Sequence, residues 1–160
     1  MSIPNDRHVV IGVPRDFRAP DAKTLMKLEM ENMQKFINTG KKYGSTIAYQ
    51  ILHTVLPAMF EGNLKMASRV IFDYRFKYGS IKNCSFVYPP IVKIARNIQH
   101  IFNRPEVETL ALSSVGPAFF AITKHPTSCR QIFEKIGMRV FLTKINNDGY
   151  RIIKKVKNEK

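Results

Sequence analysis

Residues 107–123 read VETLALSSVGPAFFAIT. Val107–Ser114 and Ala118–Thr123 are two strand-like runs, rich in apolar residues, parted by a Val-Gly-Pro corner. That is the spacing of a tight β-connection, and strands joined so closely pair antiparallel. Toward the C-terminus, Pro126 and Thr127 open a short helix with Cys129, Ile132, Phe133 and Ile136 on its inward side and Gly137 as its stop. Met138–Ile145 is a further strand, Asn146-Asn147-Asp148-Gly149 a turn, and Tyr150–Val156 a final strand.

Toward the N-terminus the pattern changes to helices. His8–Val13 is β-branched and stops at Pro14, a strand entering a loop. Asp21 caps a helix that runs to about Ile37, with Met26, Met30, Met33 and Ile37 within roughly 60° of one another on a 3.6-residue wheel. Core packing is the expectation for this stripe, an adaptable partner-binding face the alternative. Ser45 opens a second helix with Ala48, Ile51, Leu52, Val55 and Met59 on one side, bent at Pro57. Gly62 and Asn63 serve as stop and restart. A third helix carries Leu64, Ala67, Ile71, Tyr74 and Tyr78 and closes at Gly79. After a loop at Ser80–Pro89, Pro90 starts a fourth, with Ile91, Ile94, Ala95, Ile98 and Ile101 inward and Arg104-Pro105 at its end. Strand, helices, two strands, helix and strands make an α+β domain: an antiparallel sheet packed with helices.

With 160 residues, one domain with a sizeable core is expected over residues 1–153, followed by a basic tail at 154–160. No apolar run reaches the roughly 18 residues of a transmembrane helix, and the N-terminus lacks the apolar stretch of a signal peptide. A cytoplasmic protein with no membrane partner is expected. Two cysteines, Cys84 and Cys129, form neither a disulfide framework nor a metal site by spacing. Cys129 reads as a buried thiol in a helix face. His53, alone among helical residues, reads as a packed or surface side chain. Twenty-six Lys and Arg against twelve Asp and Glu leave a formal net charge of +14. Such a balance favours polyanions, phosphorylated substrates or an acidic partner chain.

The corner at Ser113, Ser114, Val115, Gly116 and Pro117 is the candidate phosphate- or substrate-binding site. Its glycine lets backbone approach a ligand closely, the serines add hydroxyls, and exposed amides in such a turn can cradle an anion. A plain β-turn is the other reading. Glu106 and Glu108 would share one strand face and are read as solvated, not catalytic. There is no G-x-x-x-x-G-K-[ST] or G-x-G-x-x-G phosphate loop and no carboxylate set for magnesium. No catalytic residue is named, and no metal site is expected.

Ser113-Ser114-x-Gly116-Pro117 resembles the third motif of the GHMP kinase superfamily, in the Ser-Ser-x-Gly-Pro-Thr form of the beta-ribofuranosylaminobenzene 5'-phosphate synthases. Ala118 stands in place of the usual threonine, and Phe119–Ile122 is similar to the apolar strand that follows. Pro4–Pro14 resembles the strand opening the C-terminal half, with His8 in the tryptophan position. Leu56-Pro57-Ala58-Met59 with Gly62-Asn63-Leu64, and Leu142–Ile153, resemble two further stretches in the same order.

The resemblance implies a ferredoxin-like sheet and a C-terminal half whose third motif faces phosphates lodged between two domains. It implies transfer of phosphoribosyl from phosphoribosyl pyrophosphate to a hydroxy- or aminobenzoate in the archaeal synthesis of methanopterin-type pterins. The main phosphate loop belongs to an N-terminal half, in the same or a separate chain, without which this chain would be inactive. No cofactor would be held by this chain alone; Mg2+ would accompany phosphoribosyl pyrophosphate or ATP in the complete enzyme. A homo-oligomer is compatible with all of this. Two alternatives stay open: a small-molecule kinase of the same superfamily using ATP, and a basic α+β module binding nucleic acid.

Overall fold

A computed structural model of the chain describes residues 3–147. The final strand expected at Tyr150–Val156, the last part of the turn before it and the basic tail lie outside the described residues. Four strands form one antiparallel sheet: β1 (His8–Pro14), β2 (Val107–Leu112), β3 (Phe119–Thr123) and β4 (Met138–Lys144), in the order β2-β3-β1-β4. β1 lies in the middle, with Val10 opposite both Ala121 and Leu142. The helices are α1 (Ala22–Gln50), α2 (Leu56–Phe60), α3 (Leu64–Phe72), α4 (Ser80–Asn83), α5 (Ile91–Ile98) and α6 (Pro126–Lys135). The α+β class and the helix-packed antiparallel sheet follow the sequence expectation.

Strand alternation decides what is buried. Val10, Leu110, Leu112, Phe119 and Ala121 point from one sheet face into the main core, where Ile91, Ile98, Phe102, Cys129 and Phe133 meet them. Each valine, leucine, isoleucine or phenylalanine among them contributes on the order of 1.5–3 kcal/mol through burial. α6 comes close to β1 because residue 12 is glycine: a Cβ there would sit 2.6 Å from Met138 Sδ and 2.7 Å from Phe133 Cδ2. On the other face, α3 packs against β2 through a buried Ser68–Thr109 hydroxyl pair at 2.6 Å. Further along that face Val9, Ile11, Phe120 and Ile122 are only half-buried.

Three expectations are corrected. The first and second helices are one, because α1 runs unbroken through Gly40 and Gly44 to Gln50. Each glycine costs a helix about 1 kcal/mol without forbidding it. Contacts on both sides of Gly40 hold the backbone helical: Phe36 edge-on to Phe86, Asn83 donating to Thr39 Oγ1 at 2.7 Å, and Tyr43 stacked on Tyr78 at 4.6 Å. Pro57 does not end the helical run, which continues through α2 to Phe60. Lacking an N–H, it follows a π turn at Ile51–Val55, in which the Leu56 amide reaches back to the Ile51 carbonyl. Finally, the supposed loop at Ser80–Pro89 contains α4 and a 3-10 turn at Cys84–Phe86, started by Gly79 in the left-handed region at φ 85°.

The methionine stripe is the largest departure. Met26, Met30, Met33 and Ile37 are 59%, 66%, 52% and 42% exposed, and no residue of α1 is buried. The second apolar stripe follows suit, with Ile51, Leu52 and Met59 exposed. Core packing was the wrong expectation for the methionine stripe.

Candidate functional site

β2 leaves the sheet at Leu112 and β3 enters at Phe119, so the corner between them projects from one end of the sheet. The Ser113 amide donates to the Ala118 carbonyl at 2.8 Å, and the Gly116 amide to the Ser113 carbonyl at 2.8 Å. These bonds close the turn. The amides of Ser114 and Val115 make no hydrogen bond among the described residues. Ser113 and Ser114 are exposed, Val115 packs against the core and Pro117 is buried behind a cis peptide bond. Ser114 takes the left-handed conformation at φ 46°, a state that costs a non-glycine residue of order 1 kcal/mol or more.

Gly116 does a different job from the one its sequence context suggests. At φ 93° it occupies a conformation that side chains resist, and a Cβ there would lie 2.6 Å from Ile91 Cδ1 and 3.2 Å from Leu112 Cδ1. Its bare Cα therefore faces the core, not a ligand. Any ligand approach falls to the Ser113–Ser114 side.

α5, which Ile91 begins, also helps to line a cleft. Pro90, Lys93, Ile94 and Asn97, from the start and outer face of α5, form one wall of a cavity of about 460 Å3. Arg15 and Asp16, just after β1, and Ile136-Gly137, just before β4, form the other. The cleft thus sits where the C-terminal end of β1 meets the start of β4, the end of the sheet that also carries the corner. Arg15 and Lys93 are exposed and give it positive charge. Tyr88 closes one side, donating its hydroxyl to Asp16 Oδ1 at 2.7 Å and meeting Phe17 edge-on at 5.7 Å. Burial first, and then the bond to the Asp16 carboxylate, push the Tyr88 phenol up to about 12. Two cations, Arg15 and Lys93, against the one Asp16 carboxylate leave the cleft lining with a net positive charge.

The other sequence candidates fall elsewhere. Glu108 is not solvated: both its carboxylate oxygens accept from Arg7, at 2.7 and 3.0 Å, with the two side chains 15% and 13% exposed. Glu106 pairs with Arg104 at 3.7 Å. Both lie toward the opposite end of β2 from the corner and form structural ion pairs. Cys84 and Cys129 are free and fully buried, and burial pushes both thiols up, away from the reactive thiolate. His53 is exposed and rests on the Tyr49 ring. No group of three His, Cys, Asp or Glu that could hold a metal occurs among the described residues. No described helix is long and apolar enough to cross a membrane.

Two features escaped the sequence reading. Lys65 lies across the Phe102 ring, 3.9 Å from its centroid, and donates to the carbonyls of Phe102, of Arg104 at 3.3 Å and of Val107 at 2.6 Å. Burial pulls its ammonium pKa below the usual lysine value, with Arg69 adding to the effect. It pins the turn leading into β2, yet in sequence it is one lysine among many on an amphipathic helix. The second is a pair of adjoining clefts sharing Gly79 and Lys82. One carries Lys35, Lys42 and the stacked Tyr43 and Tyr78, the other Arg75 and Arg96. None of these five cations has a carboxylate partner among the described residues. The cluster is assembled from three separate segments, so no run of basic residues announces it. No protein-family model matches the chain, and no curated protein is significantly similar to it.

Proposed function

We propose that this chain is the C-terminal domain of a GHMP-superfamily transferase, closest to the beta-ribofuranosylaminobenzene 5'-phosphate synthases. Its Ser113–Pro117 corner would help to hold the phosphates of phosphoribosyl pyrophosphate. The observation that carries this is the corner itself: two exposed serines, one held in a strained conformation, at the same sheet end as the Arg15 and Lys93 cations. Strain retained at an exposed turn calls for a reason, and ligand contact supplies one. The strand order β2-β3-β1-β4 is also the order of a ferredoxin-like sheet, built of two split β-α-β units. In this reading the Ser113 and Ser114 hydroxyls and the two free amides donate to the phosphate oxygens, and Arg15 and Lys93 steer the anion there. An N-terminal half would supply the main phosphate loop and close the site. Mg2+ would arrive with the substrate.

The test is calorimetric titration of the chain with phosphoribosyl pyrophosphate, ATP and pyrophosphate, alone and with the N-terminal half of a synthase added. Gly116 is unsuitable as a probe, since any side chain there strikes Ile91. Ser113→Ala combined with Lys93→Gln alters only exposed groups. Saturable binding weakened about tenfold by the pair, roughly 1.4 kcal/mol, is expected. Preference for phosphoribosyl pyrophosphate selects the synthase, preference for ATP the kinase. Absence of binding under both conditions, or binding indifferent to both substitutions, sinks the proposal.

The five unpaired cations around Lys82 favour a second reading, a surface for nucleic acid. Stacking of bases on the sheet through Phe119 is unavailable, because Phe119 is fully buried. Binding through the cation cluster would instead follow backbone charge. Affinity for single-stranded RNA would then fall steeply with salt and drop further in Lys42→Ala and Arg96→Ala, with Ser113→Ala without effect.

A further inference from the structure

The outer face of α1 is organised for a partner, and its pattern says which. From Met26 to Ile51 every position at alternating spacings of four and three is apolar or glycine, so the repeat averages 3.5 residues. That is a coiled-coil seam about 38 Å long at 1.5 Å per residue. It does not face the body. Phe36, Thr39 and Tyr43 make the contacts to α4 and its neighbours, and at 100° per residue they centre roughly 100° away from the seam. In a single copy the large seam residues lie in solvent, 42–66% exposed from Met26 to Ile37. A second oddity lies on the same line. Gly40 and Gly44 sit inside an exposed helix, where each costs about 1 kcal/mol relative to alanine, and a Cβ on either would meet nothing within 4 Å. Nothing among the described residues of a single copy calls for glycine at these two places.

We infer that α1 pairs antiparallel with α1 of a second copy, making an isologous two-fold dimer. When the seam is laid against itself end to end, Met26 meets Ile51, Met30 meets Ile47, Met33 meets Gly44 and Ile37 meets Gly40. Each glycine is met by a large side chain of the other copy, so the four central knobs drop into gaps. Charge agrees with the pairing despite the net +14. The seam itself carries none, and the flanking positions set Lys27 beside Ala48, Gln34 beside Lys41 and Glu29 beside Gln50 of the other copy, with no like-charged pair. An exposed apolar strip of this length on a soluble chain marks an interaction surface. The dyad falls between residues 37 and 40. This inference does not rest on the phosphate site and stands or falls without it.

Sedimentation velocity of the full chain from 1 to 200 μM tests it. A monomer–dimer equilibrium is expected. Ile37→Lys, which places a charge beside the dyad, should weaken it at least tenfold. Gly40→Leu should weaken it similarly while leaving the helical circular dichroism intact, since the added side chain meets nothing in the monomer. Register is read by cross-linking. Met30 and Ile47 are about 25 Å apart within one helix, too far for an internal disulfide, whose Cα atoms must lie within about 7 Å. The double variant Met30→Cys, Ile47→Cys should therefore oxidise to a covalent dimer, and Met30→Cys alone should not. A chain monomeric at 200 μM, a dimer indifferent to Ile37→Lys, growth beyond the dimer, or cross-linking by Met30→Cys alone would each overturn the inference.

Discussion

α1 and α5 each carry an apolar stripe, and the two stripes meet opposite fates. α5 has eight residues, and Ile91, Ile94, Ala95 and Ile98 on its inner side are all buried. α1 has twenty-nine residues and buries none of them. Periodicity reports that one face of a helix is apolar. It does not report whether the chain's own sheet, or something else, covers that face. For α5 the sheet lies directly below, with Leu112 and Phe119 completing the same core. α1 touches the body through a different, partly polar face, and its stripe is left over.

The sharpest way to break this contrast is paired truncation. Ile98→Ala removes a fully buried side chain and should cost about 2–5 kcal/mol. Met33→Ala, from a residue in solvent, should stay within about 0.5 kcal/mol in the dilute monomer. Urea unfolding monitored by circular dichroism measures both, and equal losses would show that the α1 stripe is covered within one chain. Next in size is Lys65→Met. It removes the ammonium that donates to three carbonyls around the start of β2 and should cost about 1.5–3 kcal/mol in the same assay. Gly40→Ala has the opposite sign: about 1 kcal/mol of added stability at low concentration, where no partner copy competes. No gain there would mean that Gly40 is needed within the monomer.

The smallest effect is confined to high pH. Because the Tyr88 phenol is held at about 12, above its ordinary value near 10, its contribution to stability is complete below pH 10. It fades as pH rises from 10 toward 12, where the unfolded chain ionises first. A spectrophotometric tyrosine titration should show one late-ionising phenol that Tyr88→Phe removes. An unchanged titration in that variant would show that Asp16 and Tyr88 are not joined in solution.

Much of the site was legible and its meaning was not. The corner at Ser113–Pro117 could be found from two apolar runs and a Gly-Pro punctuation, and it does lie between two strands. The role of Gly116 could not, because the atom that excludes a side chain there belongs to Ile91, twenty-five residues away. The cleft beside the corner draws on Arg15, Lys93 and Gly137, which no local pattern connects. Glu108 shows the same limit. Its alternation with Glu106 suggested a solvated pair, whereas Arg7, a hundred and one residues away in the chain, takes both of its carboxylate oxygens.

The amino-acid sequence by itself determined the α+β class, the strands β1 to β4, the caps at Asp21 and Asn63 and the buried face of α5. These follow from local chemistry: β-branched runs, capping side chains and a period of 3.6 or 2 act within a few residues. Only the tertiary structure decided that α1 crosses two glycines, that its methionines stay in solvent and that five cations gather around Lys82. Each of these depends on which segment lies beside which, and that is set by how the whole sheet and its helices share one core.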